Sequence, residues 1–388
     1  MASYSHPVTI VGAGPAGVSA AVALKDRGLR PLLLERDAHV GASWRNRYDR
    51  LRLNTGRQFS HVPGRRYPKG TPTFPTRDQV VAHLDRHAHE DGIELRLETA
   101  VERLERRDGG WSLQTPAGPI ETRQVVIATG YEHSPLIPDW EGRDGFTGTL
   151  IHSAEYRNPA PFEGRSVLVV GSGCSGMEIA HDLAGGGASK VWLSARTPPN
   201  IMLREGPGGP PGDVIATPLF HAPVRIADAI ARVGRKQGVG DLTEFGLPVP
   251  EEGIFARNRR LGVAPAIVDA ELIDAIRARE FEIVRGVESL DGDSVQLAGG
   301  SRLRPDAIVC ATGFRRGLEP LVGHLGLLDE RGRPRVVGHR PAAAGLRFIG
   351  YIPRPSQIGA TAKQAKRAAR AIAGELRRPA VSPSSSSA

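Results

Sequence analysis

Two glycine-rich stretches carry the chemistry this chain offers most openly. Gly12 to Gly17 reads GAGPAG, and Gly171 to Gly176 reads GSGCSG. In a GxGxxG loop the first glycine permits a tight turn. The second lets the backbone approach a pyrophosphate, and the third lets helix and strand pack closely. A helix starting there offers unpaired N–H groups and a partial positive charge to phosphate. The first loop assigns Gly12, Gly14, Pro15, Ala16 and Gly17 to a nucleotide. The second assigns Gly171, Ser172, Gly173, Ser175 and Gly176. Cys174 sits inside the second loop, where its small size suffices for a structural role.

The strand beyond each loop types its nucleotide. VTIV (8–11) reads as a buried strand, VSAAVALKDRG as a helix with Gly28 at its C-cap, and PLLLER (Pro31–Arg36) as a second strand. That strand ends in Glu35, which can accept both ribose hydroxyls of an adenosine, with Arg36 beside it. SVLVV, MEIAHDLAGGG and VWLSAR (Val191–Arg196) repeat the pattern, but the last strand ends in Ser194, Arg196 and Thr197, with no acid. A carboxylate would repel a 2′-phosphate, whereas a guanidinium grips it with paired bonds. The first loop therefore reads as FAD and the second as NADPH.

The elements that must position these loops form an α/β fold of two dinucleotide-binding, Rossmann-like domains. QVVIATG (124–130) and DAIVCATG (306–313) are each a strand ending in Ala-Thr-Gly. Such ends suit chain crossings between domains and bring Thr129, Gly130, Thr312 and Gly313 to the cofactors. The NADPH domain is expected to be inserted into the FAD domain: residues 1–156 and 306–378 for FAD, 157–305 for NADPH, and a disordered tail over 379–388. Within the insert, EGPGGPPGD reads as loop. HAPVRIADAIARVGRKQ reads as a helix with Ile226, Ile230 and Val233 on one face. The 205–260 segment is expected to roof the substrate site; contact of that face with a membrane surface is the weaker reading.

Composition narrows the partners. The formal charge of +9 suits nucleic acid or a membrane, but equally anionic cofactors. No Lys/Arg block alternates with aromatics, so no nucleic acid is expected. The two cysteines, Cys174 and Cys310, are far apart and form no CxxC. This excludes a zinc ribbon, a redox disulfide motif and a disulfide scaffold, and no metal is expected. Few cysteines suit a reducing cytoplasm. No run of about 18 apolar residues is present, so no stable membrane insertion is expected. The apolar N-terminus lacks the basic start of a signal peptide. A homo-oligomer is compatible with these features.

Between the loops lies FTGTLIHSAEY, which fits FxGxxxHxxxY with Phe146, Gly148, His152 and Tyr156 in place. This resembles the fingerprint of the class B flavin-dependent monooxygenases. That family includes the flavin-containing monooxygenases; the resemblance is closest to the YUCCA-like group, and it covers almost the whole chain. It includes WRNRYDRLRLNTGRQFSHVPG, HSAEYRNPAPFEGRSVLVVGSGCSGMEIAHDLA, DAIVCATGF and FIGYIPRPSQIGATAKQAKRAA.

The resemblance implies that NADPH reduces the flavin and that O2 adds at flavin C4a. The resulting hydroperoxyflavin then oxygenates a small molecule, by N- or S-oxygenation or by YUCCA-like oxidation of a 2-oxo acid. It implies that Trp44 and Arg45 lie beside the flavin, and that Asn54 is the catalytic residue near C4a, with Gln58 supporting its loop. His152 would organise the NADPH side; a structural role in the linker is the alternative. The final helix, opening at Gly359-Ala360-Thr361 with Gln357 just ahead, would aim its N-terminus at the flavin. Many YUCCA proteins carry another residue at the Asn54 position, which weakens a direct transfer of their substrate. Two rivals remain at this point: an FAD/NAD(P)H-dependent reductase, which needs a cysteine pair beside the flavin, and a non-catalytic redox-sensing flavoprotein.

Overall fold

The computed structural model describes residue 4 and residues 6–206, 209–354 and 356–377. The expected tail, 379–388, lies outside the described residues. Six helices matter to the site: α1 (Pro15–Lys25), α2 (Cys174–Gly185), α3 (Gly212–Leu219), α4 (Val224–Gly238), α5 (Ile254–Leu261) and α6 (Gln357–Arg377).

The first sheet is built on His6–Val11, which pairs in parallel with Leu32–Leu34 on one side and Ile120–Ile127 on the other. Glu94–Arg96 extends it beyond Leu32–Leu34. Leu346–Phe348 pairs in parallel with Ile120–Ile127, and Gly110–Gln114 and Arg103–Arg107 add an antiparallel edge. Alternate residues serve opposite faces. Val8, Ile10 and Val126 pack towards α1 and α6, whereas Val11, Val125 and Ile127 pack towards Phe348 and Leu346. Burial on both faces is why these strands read as unbroken apolar runs. Helices α1 and α6 share one core through small residues, Ala20 and Ala21 with Ala365, Ala368 and Ala369.

The second sheet is wholly parallel, in the order Glu282–Val284, Lys190–Ser194, Ser166–Val170, Ala307–Cys310, Thr149–His152. Two of these strands fall outside the 157–305 span expected for the inserted domain. The strand leading into the second loop needs a neighbour on each side, and Ala307–Cys310 supplies one of them. Composition alone does not tell which sheet an apolar strand joins. The two chain crossings run side by side, Ser134–Pro135 pairing antiparallel with Phe314–Arg315.

Candidate functional site

Both glycine loops turn at the carboxyl ends of parallel strands, where open α/β sheets bind ligands. Gly12 and Gly171 have φ of +100° and +115°, values that L side chains avoid. A Cβ on Gly17 would stand 1.7 Å from the Gly12 carbonyl oxygen, and one on Gly176 at the same distance from that of Gly171. The third glycine of each loop therefore lets its helix sit directly on the turn. The middle glycines differ: a Cβ on Gly14 would meet nothing nearer than Ser43 Oγ at 3.9 Å, and one on Gly173 nothing within 4 Å. No described side chain caps the N-terminus of α1 or α2. Two uncapped helix ends with open space above them fit two dinucleotide pyrophosphates.

One cavity of about 950 Å³ reaches both loops. Of the residues expected from the sequence, Gly12, Gly14, Pro15, Ala16, Glu35, Arg36, Trp44, Asn54, Thr129, Gly130, Gly173, Ser175, Gly313 and Gln357 line it. Glu35 is held in place by the backbone. Its Oε2 accepts from Ala13 N–H at 2.7 Å and its Oε1 from Asp37 N–H at 3.2 Å. The Thr129 hydroxyl pairs with Tyr351 Oη at 2.7 Å, and Gln357 Nε2 donates to the Gly350 carbonyl at 3.3 Å. Helix α6 begins at Gln357, ahead of Gly359. A Cβ on Gly359 would lie 1.7 Å from the Phe59 carbonyl oxygen, so this glycine seats the helix on the Asn54 loop.

Other expected residues sit elsewhere. Gly17, Gly171 and Gly176 lie beneath the loops. Arg45 is exposed and off the lining, while its neighbour Arg47 lines the cavity and stacks on Phe314 at 4.7 Å. Gln58 is exposed and folds over Gly56, as loop support, not as a cavity wall. Ser194 is buried and donates to the Arg285 carbonyl at 3.0 Å, leaving no hydroxyl proton for a phosphate. Ser172 Oγ donates to the Thr197 carbonyl at 3.4 Å, which holds the Arg196–Thr197 turn against the second loop. Arg196 is exposed, and no described residue pairs with it. Thr312 is used up by a bond to the Leu136 carbonyl. Cys174 accepts from Ile267 N–H, and burial pushes its thiol up to about 11, as suits an inert residue.

The FxGxxxHxxxY residues brace the linkers. A Cβ on Gly148 would strike the Phe146 ring at 2.6 Å and the Asp306 carbonyl oxygen at 2.8 Å. His152 is wholly buried. Its Nδ1 accepts from Ala154 N–H, so its Nε2 carries the proton and donates to the Gly313 carbonyl at 3.0 Å. Burial lowers its pKa and keeps it neutral. Tyr156 donates to Asp182 on α2 at 2.7 Å. His152 thus positions Gly313, which lines the cavity, without reaching the cavity itself.

The roof comes from α3 and α5, not from α4. Asp213, Ala216, Phe220, Phe255 and Asn258 line the cavity. Ile226, Ile230 and Val233 of α4 face outward, 54%, 46% and 57% exposed. The opposite side of α4 is committed inward, because Asp228 accepts the Phe255 and Ala256 N–H groups at the start of α5.

Several site residues carry no sequence signal. Asp213 is 2% exposed and accepts from Gly56 N–H and, at 2.6 Å, from the Ser356 hydroxyl, with no cation against it among the described residues. Arg204, Glu178 and Tyr48 form a buried chain behind Asn54. Each belongs to a different segment, so spacing could not reveal them.

A family model described as pyridine nucleotide-disulphide oxidoreductase matches residues 9–201. The indole-3-pyruvate monooxygenase YUCCA1 of Oryza sativa subsp. japonica is 33% identical over 326 residues, 83% of this chain and 80% of that protein. The probable indole-3-pyruvate monooxygenase YUCCA8 of Arabidopsis thaliana is 30% identical over 356 residues, 88% and 83%. Among solved structures, a variant of the flavin monooxygenase from Stenotrophomonas maltophilia superposes with a TM-score of 0.74 at 23% identity, covering 96% of this chain and 99% of that one. A cyclohexanone monooxygenase does so at 0.73 and 16% identity, covering 97% and 88%. Among the described residues, no helix is long and apolar enough to cross a membrane.

Proposed function

This chain belongs to the YUCCA-type flavin monooxygenases, with FAD and NADPH as cofactors, and we propose that its substrate is a small aromatic 2-oxo acid. The flavin, reduced by NADPH, supplies the activation of O2; the protein supplies binding, orientation and exclusion of water. In this reading Gly12 to Ala16 hold the FAD pyrophosphate and Glu35 its ribose, while Gly173 to Ser175 hold NADPH and Arg196 takes its 2′-phosphate. Asn54 reaches the reacting atoms from the cavity wall.

The observation that carries the substrate class is Arg354. It lines the cavity with its guanidinium 5.2 Å from the Phe220 ring centroid, and that guanidinium makes no hydrogen bond or ion pair with any described residue. A free guanidinium beside an aromatic wall suits a carboxylate attached to a ring. The relatives named for indole-3-pyruvate, an aromatic 2-oxo acid, point the same way. Asp213 supports a second reading: an uncompensated buried carboxylate on the same wall suits an amine, hence N-oxygenation. The two free cysteines suit a reducing compartment, and we place the enzyme in the cytoplasm.

The test is product analysis. The FAD-loaded protein is incubated with NADPH, O2 and matched panels of aromatic 2-oxo acids, amines and sulfides, and product masses are followed. The expected result is oxidative decarboxylation of the 2-oxo acids, with Arg354→Gln raising KM about ten- to a hundredfold. Turnover of amines alone, lost in Asp213→Asn, would replace the first reading with the second.

A further inference from the structure

We propose that Arg204 is a positioning residue for Asn54, holding the Asn54 amide so that its NH2 group, not its oxygen, is presented to the cavity. The inference rests on Asn54 being the residue that reaches the reacting atoms.

Arg204 follows directly on strand Ile201–Leu203 of the inserted domain, whereas Asn54 lies in the first domain, 150 positions earlier. Arg204 is 3% exposed. Its Nη2 donates to Asn54 Oδ1 at 3.0 Å and to Glu178 Oε1 at 2.6 Å, and its Nη1 donates to Asp269 Oδ2 at 2.7 Å. Tyr48 Oη donates to the other Glu178 oxygen at 2.6 Å. Burial raises the Glu178 pKa, while the Arg204 charge opposes that shift.

An Asn amide turned by half a rotation exchanges a donor for an acceptor at nearly the same place. A guanidinium has donors only, so the amide atom against it must be the oxygen. That leaves the Asn54 NH2 as the other arm of the planar amide, turned away from Arg204, where no described residue takes its protons. Without Arg204 both orientations become available, and the cavity meets a carbonyl oxygen part of the time. An acceptor there cannot hydrogen-bond an electron-rich oxygen. Glu178 adds a second link, because it stands on α2, the helix that opens at the second nucleotide loop. The orientation of a first-domain side chain is thereby set by the second domain.

The experiment measures hydrogen peroxide formed per NADPH in the FAD-loaded protein with indole-3-pyruvate present. Uncoupled turnover is NADPH + H⁺ + O2 → NADP⁺ + H2O2. Arg204→Lys keeps the charge but replaces a planar fork with one point donor. The expected result is about a two- to tenfold rise in peroxide per NADPH, the worth of one hydrogen bond. Asn54→Ala is expected to rise at least as far, and Arg204→Lys to add nothing in that background. In the apoprotein, the losses in melting midpoint of the two single variants are expected to be less than additive, since they remove the same bond.

If Asn54→Ala uncouples and Arg204→Lys does not, the role of Arg204 is overturned and that of Asn54 stands. If Asn54→Ala leaves coupling unchanged, both fall. An Arg204→Lys effect that persists in full on Asn54→Ala also overturns the proposal. Should Arg204→Lys not fold, Arg204→Met with Glu178→Gln removes both buried charges together. It should uncouple to the same extent, and unchanged coupling there refutes the positioning role.

Discussion

His152 Nε2 donates to the Gly313 carbonyl oxygen at 3.0 Å, across 161 positions of sequence, with the imidazole edge-on to Phe314 at 4.8 Å. The bond ties the linker into the second sheet to the segment that returns to the first. His152→Phe keeps a ring of similar shape and loses both hydrogen bonds, leaving Ala154 N–H unmet and the Gly313 carbonyl with the Leu136 N–H alone. A loss of about 1–3 kcal/mol is expected by denaturant unfolding. NADPH affinity should fall, since Gly313 and Phe314 line the cavity. A variant with unaltered stability and affinity would remove His152 from any positioning role.

The two kinds of loop glycine should separate in a paired experiment. Gly14→Val places its side chain in open space over the first loop, so the protein should fold but lose FAD, read from its yellow absorbance and from titration of the apoprotein. Gly17→Ala drives a methyl group into the Gly12 carbonyl. It should destabilise the apoprotein itself by about 1–3 kcal/mol. Full FAD affinity in Gly14→Val would contradict the phosphate assignment of this loop.

NADPH should be preferred over NADH about ten- to a hundredfold, the worth of a charge-assisted bond. Arg196 stands exposed just beyond its strand with its guanidinium uncommitted among the described residues, and Arg196→Ala should abolish most of the preference. Ser194→Ala should not, because the Ser194 hydroxyl already serves the Arg285 carbonyl. Steady-state kcat/KM with both cofactors decides; equal efficiency in the unaltered enzyme would refute the assignment.

His83 supplies a pH dependence. Burial, then the neighbouring His87, His61 and Arg86, lower its pKa from 6.5 to about 3, and its ring stacks on Tyr67 at 4.1 Å. The folded pKa lies below the unfolded one, so the unfolded chain binds the proton first. The stability from neutral His83 is complete above pH 6.5 and is lost as pH falls towards 3. His83→Gln should flatten the fall in melting midpoint over that window. An unchanged profile would assign the acid sensitivity to other groups.

Both glycine loops, their strands and Glu35 were legible in the sequence because each is a local event. A glycine needed for a positive φ, or for a helix lying on its own turn, must occur at a set spacing from the strand before it, as Gly12 and Gly17 do. The family followed from FxGxxxHxxxY, although the reason for that motif did not. Phe146 against Gly148 is local, but His152 against Gly313 is not. Only the tertiary structure decided which sheet takes Thr149–His152 and Ala307–Cys310, because apolar parallel strands look alike wherever they pair. It alone turned the apolar side of α4 outward, through the demand of the α5 N-terminus for Asp228. It alone brought Tyr48 and Asp213 to the cavity wall and Arg204 and Glu178 behind Asn54. A buried charge survives only with partners around it, and those partners come from segments whose separation along the chain no local spacing encodes.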